Sequence, residues 1–405
     1  MATLTVFNVS ALLKSIHRSM YALRIGLALT ILIIFAAQDL PAQKKKSTSD
    51  DQGYIPQVLP NSKQKKNKKE EEQTPPPSRE LPNTVVAETD RLTFEISPLS
   101  AKGLLSQQTR DALKTLLRTS RGTIVKLRAF VAGSGDLRRV GELVAEAFAD
   151  KHQPLPVLST IQVGALPLTG AQIVLEAMET EKRPVNPNGV AFISGQDASS
   201  LTQSLDHLKI ALHSAGLQPE DALRVTCFVS SLDDEKSAQL LLTGNFPAAS
   251  VNYVQMQREP VTPAAECEAV ARLRSAPAAA VTFLNPASLQ PSSYYSQLVL
   301  VSSPKLVVTG TQLAFGAEES DLKLAFERLG KALSSSDARF DGVVMSHFYL
   351  TSGGLLAKLR TVRAGFYNGK HPPASTLLAF EGLPSLDAQM GLEVIAVAES
   401  SNSQR

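Results

Sequence analysis

Tryptophan is absent from this 405-residue chain, and aromatic residues make up only 5% of it. That scarcity leaves no material for a platform on which nucleobases would stack. No folded segment clusters lysine and arginine with interleaved aromatics, so nucleic acid is not an expected partner. Cysteine occurs twice, as Cys227 and Cys267. That is too few for a disulfide scaffold, and neither has metal-ligand spacing to histidine. The pair reads as two small buried residues inside strands, or as a single disulfide if the chain is exported and the strands are neighbours. His207, His213, His347 and His371 share no metal spacing, so neither a metal nor a cofactor is expected. The patterns G-x-S-x-G, H-E-x-x-H and the phosphate loop are missing. What remains is a soluble globular composition, 43% apolar and 20% charged with a net charge of +3, long enough for two to four domains.

The longest apolar run, Ile25 to Ala37, follows Lys14, Arg18 and Arg24. It falls short of the roughly 20 residues that span a bilayer but suits the core of a secretory signal. Cleavage is expected after Ala37 or Ala42, with Met20 as a later start. The alternatives are an uncleaved membrane anchor, with the protein facing outside the cytoplasm, and a buried helix. Residues 1–42 are assigned to this segment and 43–90 to a disordered linker. The lysine runs, the acidic block Glu70–Glu72 and the three prolines Pro75–Pro77 cannot bury enough apolar surface to offset ordering entropy. The basic clusters could touch anionic lipid; otherwise the linker is a solvated tether.

Beyond residue 90 the chain repeats itself. An apolar, β-branched strand pattern reads T-I-V-K-L-R-A-F-V from Thr123, D-A-L-R-V-T-C-F-V from Asp221 and D-G-V-V-M-S-H-F-Y-L from Asp341. A second strand carrying one glutamate follows each: Glu176 lies 46 residues after Phe130, Glu268 lies 40 after Phe228, and Glu393 lies 45 after Phe348. A period near a hundred residues means tandem domains, bounded here at 91–182, 183–275 and 279–400. The third is the fullest, with the order β-β-β-α-β-α-β-β, an α+β two-layer unit with both helices on one face of a mixed sheet. Asp136 is the expected cap of a helix over 136–151, Gly216 ends another, and Gly195 and Gly310 read as turn glycines.

The motifs carry a resemblance. In the third unit S-Y-Y-S-Q from Ser293, V-V-T-G-T-Q from Val307 and E-V-I-A-V-A from Glu393 are similar to G-P-Y-S-Q, V-S-G-Q and I-E-A-I-A-V of the RidA family, the YjgF-type reactive enamine/imine deaminases. In the second unit F-I-S-G-Q and E-C-E-A-V-A repeat the likeness; the first matches only in its later two-thirds and lacks S-G-Q. The resemblance covers nearly all of Leu92 to Ser400. It implies three tandem chorismate-mutase-like units. That family forms homotrimers with ligand pockets between subunits, so three copies imply a monomer folded as a single-chain pseudo-trimer, with sheets inward and helices outward. Beads on a string are the alternative, and single-chain chorismatase-type proteins use a similar arrangement.

The resemblance also proposes site residues. The family's carboxylate-binding arginine, in P-A-R-S, falls on Leu158, Ala249 and Ser375, none of them basic. Guanidinium binds carboxylate through a planar fork that these side chains lack. The glutamate expected to orient a hydrolytic water falls on Glu176, Glu268 and Glu393, and Tyr295, Thr309 and Ser194 fall on the pocket's tyrosine and hydroxyls. A strand glutamate can equally pair with a polar neighbour at a seam. Arg258, Lys370 and His371 are the candidate replacement cations. Three functions follow: a small-molecule-binding protein without ordinary imine hydrolysis, an active deaminase or related hydrolase with a relocated cation, or a structural module at the cell envelope.

Overall fold

The computed structural model describes residues 80–399, apart from 234 and 259–263. Within that span the period-two runs become strands and the amphipathic stretches become helices. The order is β1 (Thr84–Glu88), β2 (Leu92–Ile96), α1 (Leu105–Thr119), β3 (Gly122–Ala132), α2 (Arg138–Asp150), β4 (Val157–Val163) and β5 (Ile173–Glu181). Next come β6 (Val190–Ala198), α3 (Leu201–Ser214), β7 (Ala222–Val229), α4 (Glu235–Asn245), β8 (Ser250–Gln255) and β9 (Ala265–Arg272). The chain continues through β10 (Val281–Leu284), β11 (Leu298–Val301), β12 (Lys305–Thr309), β13 (Gln312–Phe315), α5 (Glu319–Ser334), β14 (Val343–Leu350), α6 (Leu356–Arg363), β15 (Ala374–Ala379) and β16 (Ala388–Val397). Local chemistry sets several ends. Ser200 caps α3 by accepting from the Gln203 amide, and Gly216, at φ +71°, takes the left-handed position after it. Asp136 holds the Arg138 amide one step before α2 instead of capping the helix itself.

The strands form three sheets: β2-β5-β3-β4, then β10-β11-β6-β9-β7-β8, then β1-β12-β16-β14-β15 with β13 also on β16. In each, one central strand pairs antiparallel with the glutamate strand and parallel with the strand that returns after a helix. A bulge interrupts all three central pairs at the same place, after Ile124, Ala222 and Val343. Arg128, Thr226 and His347 then stand directly opposite Glu176, Glu268 and Glu393. The counterpart of Phe130 and Phe228 in this register is Tyr349, not Phe348. A one-residue slip turns a side chain to the other face: Phe348 packs against Phe326 on the helix side, and Tyr349 faces inward with Phe380.

Two expectations change. Residues 84–88 do not belong to the linker, because β1 pairs along its length with β12. Nor do β10 and β11 stay with the strands that follow them. β11 pairs with β6, so the second sheet is completed by a segment that comes after its own last strand. Ser302, Ser303 and Pro304 separate β11 from β12, and β12 takes β1 on the side a hairpin partner would occupy.

Each sheet packs its helices on one face: Leu113, Leu116, Val140 and Phe148 over the first, Leu205, Leu208 and Leu212 over the second, Leu322, Phe326 and Leu329 over the third. Each such buried side chain contributes about 1.5–3 kcal/mol. The other faces meet in two apolar clusters that draw on all three sheets, one around Val125, Phe192 and Ile395, the other around Phe130, Phe228 and Tyr349. Cys227 and Cys267 are opposite one another on β7 and β9 and are joined as a disulfide on the helix side of the second sheet. Among the described residues no helix is long and apolar enough to cross a membrane. The segment 1–42 expected as signal or anchor, and the linker up to 79, lie outside the described residues.

Candidate functional site

Between the two inner apolar clusters lies a layer of charge contributed by the central strands. Lys126 and Arg128 alternate along β3, Arg224 and Thr226 along β7, Met345 and His347 along β14, each pair on the inward face. Glu176 of the first sheet binds Arg128 through Nε at 2.8 Å and Nη2, and accepts from Thr226 Oγ1 and Asn252 Nδ2 of the second sheet, each at 2.8 Å. Glu268 of the second sheet accepts from Arg128 Nη1 and Arg224 Nη2 at 2.8 Å, and from His347 Nε2 at 2.9 Å and Thr376 Oγ1 at 2.5 Å in the third. Glu393 of the third accepts from Lys126 Nζ at 3.0 Å and from Ser159 in the first, and from its own Tyr349 OH at 3.0 Å. Each sheet's glutamate is thus held by the next sheet in a closed cycle. Ser159, Asn252 and Thr376 fill equivalent places, opposite Arg128, Thr226 and His347.

The electrostatics follow from this geometry. Burial opposes ionisation of Glu268, but His347, Arg128 and Arg224 overcome it and hold the carboxyl well below its usual range. Glu393, buried likewise, is brought down to about 2 by Lys126, His347 and Arg128. Burial lowers Lys126 and Arg224 and pushes the Tyr349 phenol well up. The hollow beside these groups measures about 10 Å³, room for about one water. Glu176, Glu268 and Glu393, expected to orient a water against a metabolite, have their oxygens turned to protein donors, and among the described residues no ligand-sized space adjoins them.

The other expected positions scatter. Thr309 joins the layer, its carbonyl accepting from Lys126 Nζ at 2.7 Å and its hydroxyl from the Val394 amide. Ser194 and Ser375 meet at the seam of the second and third sheets, where the Ser375 amide donates to Ser194 Oγ at 2.8 Å. Leu158 packs with the helices of the first sheet and offers its carbonyl to Thr311. Ala249 precedes β8 and packs among the helices of the second sheet; the residue in register with Leu158 and Ser375 is Val251. Arg258 donates its Nε–H to the Gly164 carbonyl and its backbone N–H to the Glu381 carboxylate, and the His371 ring lies tilted 5.4 Å from Phe283. Lys370 lies on the exposed loop ahead of β15.

Tyr295 belongs to a different cluster, at the seam of the second and third sheets. It lies beside Gln297, Asp197 and Glu266, and burial raises its phenol. Glu266 stands two residues before Glu268 on the same face of β9, opposite Asp197 on β6 and Phe228 on β7. Its counterparts in the first and third sheets are Val174 and Gly391. Its carboxyl accepts the backbone N–H of Leu377 from the third sheet. Gly195 makes room for it: a Cβ there would fall 1.8 Å from Glu266 Oε1. Although part of the side chain reaches solvent, burial of the carboxyl, with Asp197 and Glu268 nearby, pushes it well above the usual carboxylate range. No ion pair to it forms among the described residues, which also contain no cluster of three or more potential metal ligands. Glu266 was not legible in the sequence, because the matching positions of the other two sheets carry valine and glycine. The cations Lys126, Arg128 and Arg224 were legible as a signal, being charges at alternate positions of an otherwise apolar strand, inside the very segment that repeats.

The family profile described as Endoribonuclease L-PSP matches residues 286–398. A RutC family protein of Haemophilus influenzae is 30% identical over 121 residues, which span 29% of this chain and 76% of that protein. Among solved structures, a Rid family protein of Yersinia pestis is 20% identical, covering 29% of this chain and 99% of its own, with a TM-score of 0.28. A YjgF family member of Neisseria meningitidis is 15% identical, covering 30% and 97%, with a TM-score of 0.23.

Proposed function

The chain belongs to the RutC family, and from that membership we propose that it binds a small uncharged or amine-bearing molecule at the seam beside Glu266, without ordinary imine hydrolysis. The observation that carries this reading is the pairing of Glu266 with Tyr295 and Gly195 in a neighbourhood of carboxyl groups and no partnered cation. A carboxylate ligand brought there would meet the like charge of Asp197. A protonated Glu266 instead offers one O–H donor and its remaining acceptor capacity, which suits a neutral or amine-bearing group.

On the same reading the chain holds three tandem copies of the family unit as a single-chain pseudo-trimer. The support is the shared bulge, the shared register of Arg128, Thr226 and His347 against a glutamate, and the cyclic hydrogen bonding between sheets. Export, by a cleaved signal or as an anchored protein, is part of the proposal. The Cys227–Cys267 bond supports it, because disulfides persist in oxidising compartments.

A thermal-shift series tests the binding reading. Uncharged and amine metabolites are expected to raise Tm by mass action, 2-keto and 2-imino acids are not, and Glu266→Ala should abolish the shift. Ammonia release from imine substrates that disappears in Glu266→Ala would overturn it in favour of an active deaminase.

A further inference from the structure

The three sheets each carry a second helix, and one of the three is thinly packed. A buried aromatic closes each of these regions: Phe148, Phe246 and Tyr367. Eight residues before it stand Val140, Ala238 and Leu359 respectively. Val140 and Leu359 are 0% exposed and pin their helices to the sheet, whereas Ala238 is only partly buried. Losing the bulk of a core side chain leaves space unless the neighbours collapse into it. In α4 they do not: Leu242 is its one fully buried side chain among the described residues, and Leu240 is 73% exposed.

The consequence is a cavity of about 360 Å³ between α4, the start of α3, the end of β7 and the start of β9. Sites for small organic ligands span about 300–1,000 Å³. Val229 and Ala265, opposite one another in register, line it on the face of the sheet that carries Cys227 and Cys267. That is the other face of β9 from Glu266. Leu201, Leu232 and Leu241 supply an apolar wall, and no charged side chain lines the space. Ser200 Oγ accepts the Gln203 amide at 3.3 Å, Ser230 Oγ the Ala264 amide at 2.9 Å and Ser231 Oγ the Asp233 amide at 3.1 Å. A hydroxyl has one donor besides its lone pairs, so all three, which also line the cavity, keep an O–H that no described residue accepts.

We propose that this cavity binds a small neutral molecule with an aliphatic body and a carbonyl-type oxygen. The body lies among Leu201, Leu232, Leu241 and Ala238, and the oxygen accepts from the serine hydroxyls. A charged ligand would lose its hydration with no opposite charge to replace it. Water beside the leucines is poorly held, and an apolar group that displaces such water gains affinity.

The site does not depend on the seam at Glu266, and its test separates the two. With the full chain, 2-heptanone should raise Tm saturably by mass action. Toluene, of similar size but without the oxygen, should bind about tenfold more weakly, the effect of one or two hydrogen bonds. Hexanoate, a charged chain of similar length, should give no saturable shift. Ala238→Leu restores the missing bulk; it should raise Tm by itself and abolish the response to 2-heptanone, while Glu266→Ala leaves that response intact. If Ala238→Leu does not fold, the probe series on the unaltered chain and on Glu266→Ala decides. No shift with 2-heptanone, an equal shift with toluene or hexanoate, or a response lost in Glu266→Ala overturns the proposal.

Discussion

Glu266 and Glu268 are two residues apart on one face of one strand, yet their carboxyls are driven in opposite directions. Glu268 is surrounded by Arg128, Arg224 and His347 and is held ionised. Glu266 is pushed well above the usual carboxylate range by burial first and then by its charged neighbours Asp197 and Glu268. Burial opposes ionisation in both; the difference lies in what the other sheets bring to each position. One carboxylate is tied into a cationic network, while the other has no ion pair among the described residues.

The sharpest way to break that contrast is to neutralise each in turn. Glu268→Gln leaves two buried guanidinium groups without their shared carboxylate and should cost about 3–5 kcal/mol in denaturant unfolding. Glu266→Gln removes a carboxyl whose ionisation burial opposes and no cation supports, and should stay within about 0.5 kcal/mol of the parent near neutral pH. Equal losses for the two would mean that Glu266 is also an ionised structural group.

Acid titration separates the charged layer next. Glu393 has its folded pKa lowered to about 2 from 4.5. The stability it contributes is present above the unfolded value and is lost as pH falls from about 4.5 to about 2. The fall is on the order of 3 kcal/mol at roughly 1.4 kcal/mol per pKa unit, and Glu393→Gln should flatten it. An unchanged acid limb in that variant would show that the layer does not depend on this carboxylate's charge.

A smaller pH effect belongs to the first sheet, away from both sites. Glu179, only 3% exposed, is raised to about 7 by burial and by its neighbour Glu95, with Ser120 pulling the other way. A folded carboxyl raised above its unfolded value binds more protons than the unfolded chain, so stability should decline as pH rises from about 4.5 to 7, by about 1–3 kcal/mol. Glu179→Gln should remove the decline. Urea midpoints measured across that range give the answer directly.

Much of the architecture was legible from local pattern. The bounds of β4, β10, β12 and α5 follow from alternation and helical spacing alone, and the strand at Thr123 with its two later relatives announced the common plan. The register of the third sheet was not legible. Aligning on Phe348 is natural in a string of letters, but the bulge after Val343 places Tyr349 opposite Gly391 and turns Phe348 to the helices. The pairing of β11 with β6 was equally hidden, since a short strand before Ser302–Pro304 reads as half of a hairpin with β12 whichever sheet it joins.

The candidate site divides in the same way. The sequence by itself determined which residues exist to be used: three strand glutamates, no arginine at Leu158, Ala249 or Ser375, and two cysteines on strands that turn out to be neighbours. It determined the helices and strands because their periodicities are local. Only the tertiary structure decided that Glu176, Glu268 and Glu393 converge on Lys126, Arg128 and Arg224, and that Glu266 meets Leu377 and Tyr295 instead. Whether a carboxyl is a bound charge or a protonated acid depends on groups within a few ångströms, and here those groups come from sheets far apart in the chain.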